Sequence, residues 1–172
     1  MALSADQALS VLFLCTGNSA RSLLAEAALA RRGGDRFRSF SAGSNPTGTP
    51  HPRSLETLAR LGYDEALIAG LRSKRWDEFA GTEAPRLDLV VTVCDNAAGE
   101  TCPIWPGAPI TAHWGVEDPA AFEGEADETL ACFARIHDEL AAKIDGLIAL
   151  VESSPSRDLE ALSDPIRALG ER

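Results

Sequence analysis

Cys15 ends an apolar run, Val11-Leu12-Phe13-Leu14, and begins a polar stretch, Thr16-Gly17-Asn18-Ser19-Ala20-Arg21-Ser22. Leu23-Leu24-Ala25-Glu26-Ala27-Ala28-Leu29 follows at once. The pattern predicts a short buried strand, a tight turn and the first turns of a helix. Such a junction aims backbone N–H groups and the positive end of the helix at one point. A thiol there is expected to ionise readily, because helix N-termini and nearby cations lower a cysteine pKa. Arg21 stands six positions after Cys15. Its planar fork matches two oxygens of a tetrahedral anion. Ser22 can donate to the sulfur, Asn18 can tie the loop through its side chain, and Gly17 can let it turn tightly. Together these residues describe a sulfur nucleophile facing an oxyanion. The bland alternative for Cys15 is a small buried hydrophobe.

Two further cysteines flank a short segment, Cys94-Asp95-Asn96-Ala97-Ala98-Gly99-Glu100-Thr101-Cys102. A pair near a surface can pass a disulfide outward by thiolate attack on sulfur. The same pair also fits two buried thiols, or a zinc site completed by His113, although the close Cys-x2–4-Cys spacing of structural zinc is absent. Asp118-Pro119 follows Trp114-Gly115-Val116-Glu117. An aspartate there can serve as a general acid or cap a turn before proline.

These groups need a scaffold. Val11–Leu14, Phe37–Ala42, Leu87–Val93 and Pro109–Ala112 read as strands. Helices are expected from about Ser19 to Gly33-Gly34, over Pro52–Leu61 and over Glu125–Glu152. The last carries Leu130, Phe133, Ile136, Leu140, Ile144, Leu147 and Val151 at helical spacing. Alternating strands and helices imply an α/β domain with a parallel sheet. Ligands in such sheets sit beyond the carboxyl ends of the strands. Cys15 and Cys94 each occupy that end. Residues 1–152 are read as the domain and 153–172 as a polar tail or short helix.

With 172 residues and 45% apolar composition, the chain suits one domain with a real core. A net charge of −10 argues against nucleic acid and anionic membranes as partners. The N-terminus lacks the basic region of a signal peptide and no apolar run is long enough to span a membrane. A cytoplasmic protein with reduced cysteines is expected. There is neither a Walker phosphate loop nor a Gly-x-Gly-x-x-Gly.

The segment Val11 to Ser22, continuing to Ala25-Glu26-Ala27, resembles the signature of the low-molecular-weight tyrosine phosphatase superfamily. Within it, Cys94 and Cys102 resemble the arsenate reductases built on that fold, over roughly residues 10–150. The resemblance implies a single three-layer domain with a central four-stranded parallel sheet and helices on both faces. It implies oxyanion binding by Thr16, Gly17, Asn18, Ser19, Ala20, Arg21 and Ser22. It further implies that Cys15 attacks arsenate, Cys94 displaces arsenite as a Cys15–Cys94 disulfide forms, and Cys102 carries the disulfide to Cys94–Cys102. Asp118 is then the acid. The Cys94–Cys102 segment is one residue longer than the family pattern. An external thiol, thioredoxin or glutaredoxin with glutathione, completes the cycle, with no tightly bound cofactor. Phosphate and sulfate are expected mimics of arsenate, and a monomer suffices. The alternative is a protein tyrosine or arginine phosphatase with a phosphocysteine at Cys15. Ala120-Ala121-Phe122 after Asp-Pro lacks the aromatic grip for a phenol and favours a small inorganic oxyanion.

Asn18, Glu26 and Ser41 resemble a group that in some relatives binds a monovalent cation. Ser73-Lys74-Arg75 reads as a solvated basic turn or a contact for the reducing partner. His51 and His137 read as surface residues, and Cys132, Trp76, Trp105 and Trp114 as packing.

Overall fold

The computed structural model describes residues 6–100 and 103–172. Four strands, β1 (Leu9–Cys15), β2 (Phe37–Gly43), β3 (Leu89–Thr92) and β4 (Ile110–His113), form one sheet in the order β2-β1-β3-β4. All three pairings are parallel. The helices are α1 (Arg21–Gly33), α2 (Pro52–Arg60), α3 (Glu65–Gly70), α4 (Asp95–Gly99), α5 (Ala126–Ser153) and α6 (Ser163–Ala168).

Every residue of β1 is buried. Successive side chains of a strand point to opposite faces. Leu9, Val11 and Phe13 therefore join the core built with α1 and α5, through Leu23, Leu24, Phe133, Ile136 and Leu140. Leu12 and Leu14 join the opposite core with Ala42, Trp76, Phe79, Val90 and Trp105. A short 3₁₀ helix, Trp76–Phe79, covers that second face, where Trp76 and Trp105 meet edge to face at 6.4 Å. Each fully buried large apolar side chain contributes on the order of 1.5–3 kcal/mol. The centre of the sheet is thus stiff on both sides, and that stiffness fixes where β1 delivers Cys15.

All seven apolar positions read along the last long helix are buried in α5. The segment after it folds back. Leu159, Ile166 and Leu169 are buried, although their surroundings in sequence are polar. Trp114 Nε1 donates to Ile166 O at 3.0 Å and Lys143 Nζ to Leu169 O at 3.0 Å. Gly146 permits the approach, since a Cβ there would lie 2.5 Å from Leu169 Cδ2. Among the described residues, no helix is long and apolar enough to cross a membrane.

Candidate active site

Residues 15–20 leave β1 and turn into α1. The carbonyls of Cys15, Thr16, Gly17 and Ser19 are claimed by neighbouring segments. Ser44 N donates to Cys15 O, Asn45 N to Thr16 O at 3.0 Å and Thr47 N to Gly17 O at 3.0 Å. His51 N and Ser54 Oγ both donate to Ser19 O, at 2.9 and 2.8 Å. A planar trans peptide points its N–H opposite to its C=O. With these carbonyls turned out, the N–H groups of Thr16, Gly17, Asn18 and Ala20 turn in. Asn18 N shows the result by donating to Cys15 Sγ at 3.2 Å. This is a cradle of amide hydrogens around one sulfur.

The turn depends on two positions. Asn18, not Gly17, takes the left-handed conformation, with φ 46°, and asparagine tolerates that region better than most residues. Gly43, at the end of β2, presses on the loop. A Cβ there would lie 2.4 Å from Thr16 O.

The Asn18 side chain is fully buried and organises the floor of the cradle. Its Oδ1 accepts from Lys74 N at 2.9 Å. Its Nδ2 donates to Ser22 Oγ at 2.7 Å and Ser41 Oγ at 3.0 Å. Ser22 Oγ in turn lies 2.9 Å from Cys15 Sγ.

The expectation of easy ionisation at Cys15 is corrected. Burial pushes its pKa above the ordinary thiol value, with the Ser22 hydroxyl, the Ser22 and Asn18 amides pulling it down and the nearby Cys94 adding to the rise. Only 3% of the residue is exposed. The donors around the sulfur are legible in the sequence; the desolvation of a charged sulfur, which opposes them, is not.

Arg21, at the first position of α1, does not reach into the cradle. Nη1 donates to Val116 O at 3.3 Å and Nη2 lies 3.5 Å from Asp118 Oδ2. Asp118 also accepts from Ala120 N at 3.0 Å through Oδ1. It is the turn-capping aspartate, and its second oxygen lies beside Arg21.

Cys94 follows β3 in extended conformation and is buried. Leu14 pairs with Thr92 across the sheet, and Val93 N donates to Leu14 O at 2.8 Å. The two sulfur-bearing ends are thereby adjacent, and Thr16 Oγ1 approaches Cys94 Sγ at 3.7 Å. Cys94 Sγ accepts from Ala97 N at 3.3 Å and caps α4. Asp95, next in the chain, meets His113 Nε2 at 2.8 Å, while His113 Nδ1 pairs with Thr92 Oγ1 at 2.7 Å. Cys102 lies outside the described residues. Among those described, no group of three or more His, Cys, Asp or Glu is placed to hold a metal. Cys132 is buried in α5.

The residues read as a cation group do converge. Ser41 Oγ donates to Glu26 Oε1 at 3.1 Å while accepting from Asn18. The positive charge beside them is the chain's own. Lys74 Nζ lies 3.7 Å from Glu26 Oε1 and 3.5 Å from Ser41 Oγ, and donates to Arg72 O at 3.0 Å. An ammonium in that place leaves the three residues a poor fit for a metal cation. It also corrects the reading of Ser73-Lys74-Arg75 as a solvated turn. Ser73 Oγ donates to Gly17 O at 3.1 Å, and Arg75 Nη1 to Ser44 O at 3.0 Å. The segment walls the cradle. His137 is corrected as well, whereas His51 stays partly exposed. His51 caps α2 through Nδ1 and its ring lies 5.0 Å from that of Phe133. His137 is buried, with Nε2 2.7 Å from Tyr63 Oη.

A four-stranded parallel sheet that presents a sulfur in an amide cradle, an arginine six residues on and an Asp-Pro at the rim defines a cysteine-based oxyanion enzyme fold. The chain belongs to the low molecular weight phosphotyrosine protein phosphatase family, whose model matches residues 10–157. An arsenate reductase of Halalkalibacterium halodurans is 35% identical over 134 residues, which is 78% of this chain and 91% of that protein. A solved arsenate reductase in a phosphate-binding state is 25% identical, with a TM-score of 0.64, over 82% of this chain and 97% of the other. The thioredoxin-dependent arsenate reductase of Corynebacterium glutamicum is 26% identical, with a TM-score of 0.54, over 83% of this chain and 64% of the other.

Proposed function

We propose that this chain reduces arsenate to arsenite, with Cys15 as nucleophile. Arsenate enters the cradle of amides from residues 16–22, and Arg21 turns from Asp118 to two of its oxygens. The Cys15 thiol gives up its proton, by way of a bound arsenate oxygen, to Asp118; Cys15 Sγ attacks arsenic, and Asp118 returns that proton to the hydroxide that leaves as water. Cys94 Sγ then attacks Cys15 Sγ. The S–As bond breaks with its electron pair left on arsenic, which departs as arsenite. Two thiols have lost two electrons and As(V) has become As(III). Cys102 attacks Cys94, releasing Cys15 and forming a Cys94–Cys102 disulfide. An external dithiol reduces it, thioredoxin before glutaredoxin with glutathione.

The observation that carries this reading is the position of Cys94 at the strand end beside the cradle, its Sγ 3.7 Å from Thr16 Oγ1 and near enough to act on the Cys15 thiol. A phosphatase needs one cysteine there. The names of two similar arsenate reductases, matched over 91% and 97% of their own length, support the same substrate.

The test supplies arsenate, thioredoxin, thioredoxin reductase and NADPH, and follows NADPH loss. Cys94→Ser and Cys102→Ser are each expected to abolish repeated turnover, with Cys94→Ser leaving arsenic bound at Cys15. Normal turnover by both variants would overturn the relay. Rapid hydrolysis of an aryl phosphate or phosphoarginine, without arsenate-dependent NADPH loss, would instead establish the phosphatase.

A further inference from the structure

The loop that carries Asp118 hangs between two anchors. It runs from the end of β4 at His113 to the short 3₁₀ helix Pro119–Ala121, whose Pro119 is buried. At the near end Trp114 is fully buried. Its N–H donates to Thr92 O at 2.8 Å, and its ring lies 6.3 Å from that of Phe13, two residues before Cys15. Its indole Nε1 donates to Ile166 O at 3.0 Å, so the C-terminal segment forms one side of this anchor.

The segment presses on the place where the loop begins. A Cβ on Gly170 would overlap His113 O and lie 3.0 Å from Trp114 Cδ1. The approach is open only to a residue without a side chain. Arg167 Nε donates to Thr111 O at 3.0 Å, and Lys143 Nζ to Arg172 O at 2.8 Å. The segment is thereby tied to β4 and to α5 on either side of Trp114. Residues 158–172 lie past the stretch, 10–157, that matches the family.

Between its anchors the loop is held lightly. Val116 N donates to Val93 O at 3.1 Å. Glu117 meets Arg135 at 2.8 Å in an exposed pair, which contributes little. Two further ties both go to Arg21, from Val116 O at 3.3 Å and from Asp118 Oδ2 at 3.5 Å. In the proposed mechanism Arg21 turns to the anion and releases both. From then on the place of Asp118 depends on the anchors.

We infer that the C-terminal segment braces the acid loop, and that Trp114 is the positioning residue through which it keeps Asp118 beside the bound anion once Arg21 has let go. The inference rests on Asp118 being the acid of the proposed function.

The experiment uses Gly170→Ala in the full chain. The added methyl meets His113 O and the Trp114 ring and lifts the segment, while every residue of the site is unchanged. Amide hydrogen exchange over residues 114–118 in excess sulfate reads the loop without turnover, and is expected to quicken about ten-fold. Single-turnover arsenate reduction is expected to slow about 10- to 100-fold, the range for a group moved by up to about 1 Å. With Asp118→Asn already present, Gly170→Ala should slow it no further, since no acid is left to position. Alkylation of Cys15 by iodoacetamide should stay within about two-fold of the parent rate. Unchanged exchange would overturn the brace. Equal slowing with and without Asp118→Asn, or slower alkylation, would overturn its action through Asp118. A parental rate in Asp118→Asn alone would show instead that Asp118 is not the acid, and the exchange then decides the brace by itself. If Gly170→Ala does not fold, Leu169→Ala, which only removes atoms from the segment, takes its place with the same expected outcomes.

Discussion

Asp118 Oδ2 lies 3.5 Å from Arg21 Nη2, so the acid at the rim and the fork that should grip an oxyanion hold each other in the free protein. An incoming anion must take Arg21 away from Asp118. In the proposed mechanism that frees Asp118 to take up a proton and serve as the acid. The pair is half open to solvent on the Asp118 side, with 39% of that side chain exposed. Such a pair is worth at most about 1 kcal/mol, which an anion held by several amides can outbid.

Asp118→Asn separates the two roles of this residue. Arsenate turnover is expected to fall about 10²- to 10⁴-fold, the usual contribution of a positioned acid. Sulfate or phosphate should bind at least as tightly as before, because Arg21 has lost its competing partner. Single-turnover kinetics and calorimetric titration with sulfate check the two halves. Weaker sulfate binding in the variant would contradict the competition.

Reactivity of Cys15 in the unliganded protein should climb with pH beyond the ordinary thiol value of 9.0. The sign follows from burial: the folded state favours the neutral thiol, so thiolate appears only at higher pH. Ser22→Ala removes the hydroxyl that lies 2.9 Å from the sulfur. Its loss costs roughly 1–1.5 kcal/mol, and alkylation at pH 8 is expected to slow about ten-fold. An equal or faster rate in Ser22→Ala would show that the hydroxyl does not favour the thiolate.

Gly43→Ala places a methyl 2.4 Å from Thr16 O and 3.0 Å from Asn18 Cβ. Both neighbours belong to the cradle, so relief must come from moving it. The expected cost is about 1–3 kcal/mol of stability, as for other overpacked sites. A further loss of sulfate affinity should accompany it. Denaturant unfolding and titration with sulfate read both effects, and an unchanged midpoint would contradict the close approach.

Ile166→Ala tests whether the C-terminal segment is part of the fold. Ile166 is fully buried beneath Trp114 and β4. The substitution should cost about 2–5 kcal/mol in denaturant unfolding. A loss below about 0.5 kcal/mol, the level of surface substitutions, would mean that residues 153–172 are an appendage.

The architecture was legible wherever one strong period ran undisturbed. Leu12 and Leu14 alternate with Val11 and Phe13, and the seven apolar positions of α5 repeat at three and four, so both elements declare their buried faces. The opening loop was legible because Cys15, Arg21 and Ser22 sit at fixed offsets between a strand and a helix. Lys74 was not. It stands between Ser73 and Arg75, and nothing local reveals that Glu26, forty-eight positions earlier, will meet it away from solvent. Long-range burial also governs the Cys15 thiol and hides Ile166 in a polar stretch. The short helix α3 escaped notice because six residues are too few to establish a period. His137 looked like a surface residue because its partner, Tyr63, lies across the fold.

Cys94 Sγ is also the peg on which α4 hangs, since it takes the hydrogen of Ala97 N. A five-residue helix gains little stability from its own backbone hydrogen bonds. Once that sulfur commits itself to a bond with another sulfur, it turns from the peg, and the first turn comes loose. In the proposed relay, the bond to a second sulfur and the loosening of the first turn of α4 would therefore be one act, timed without any separate signal.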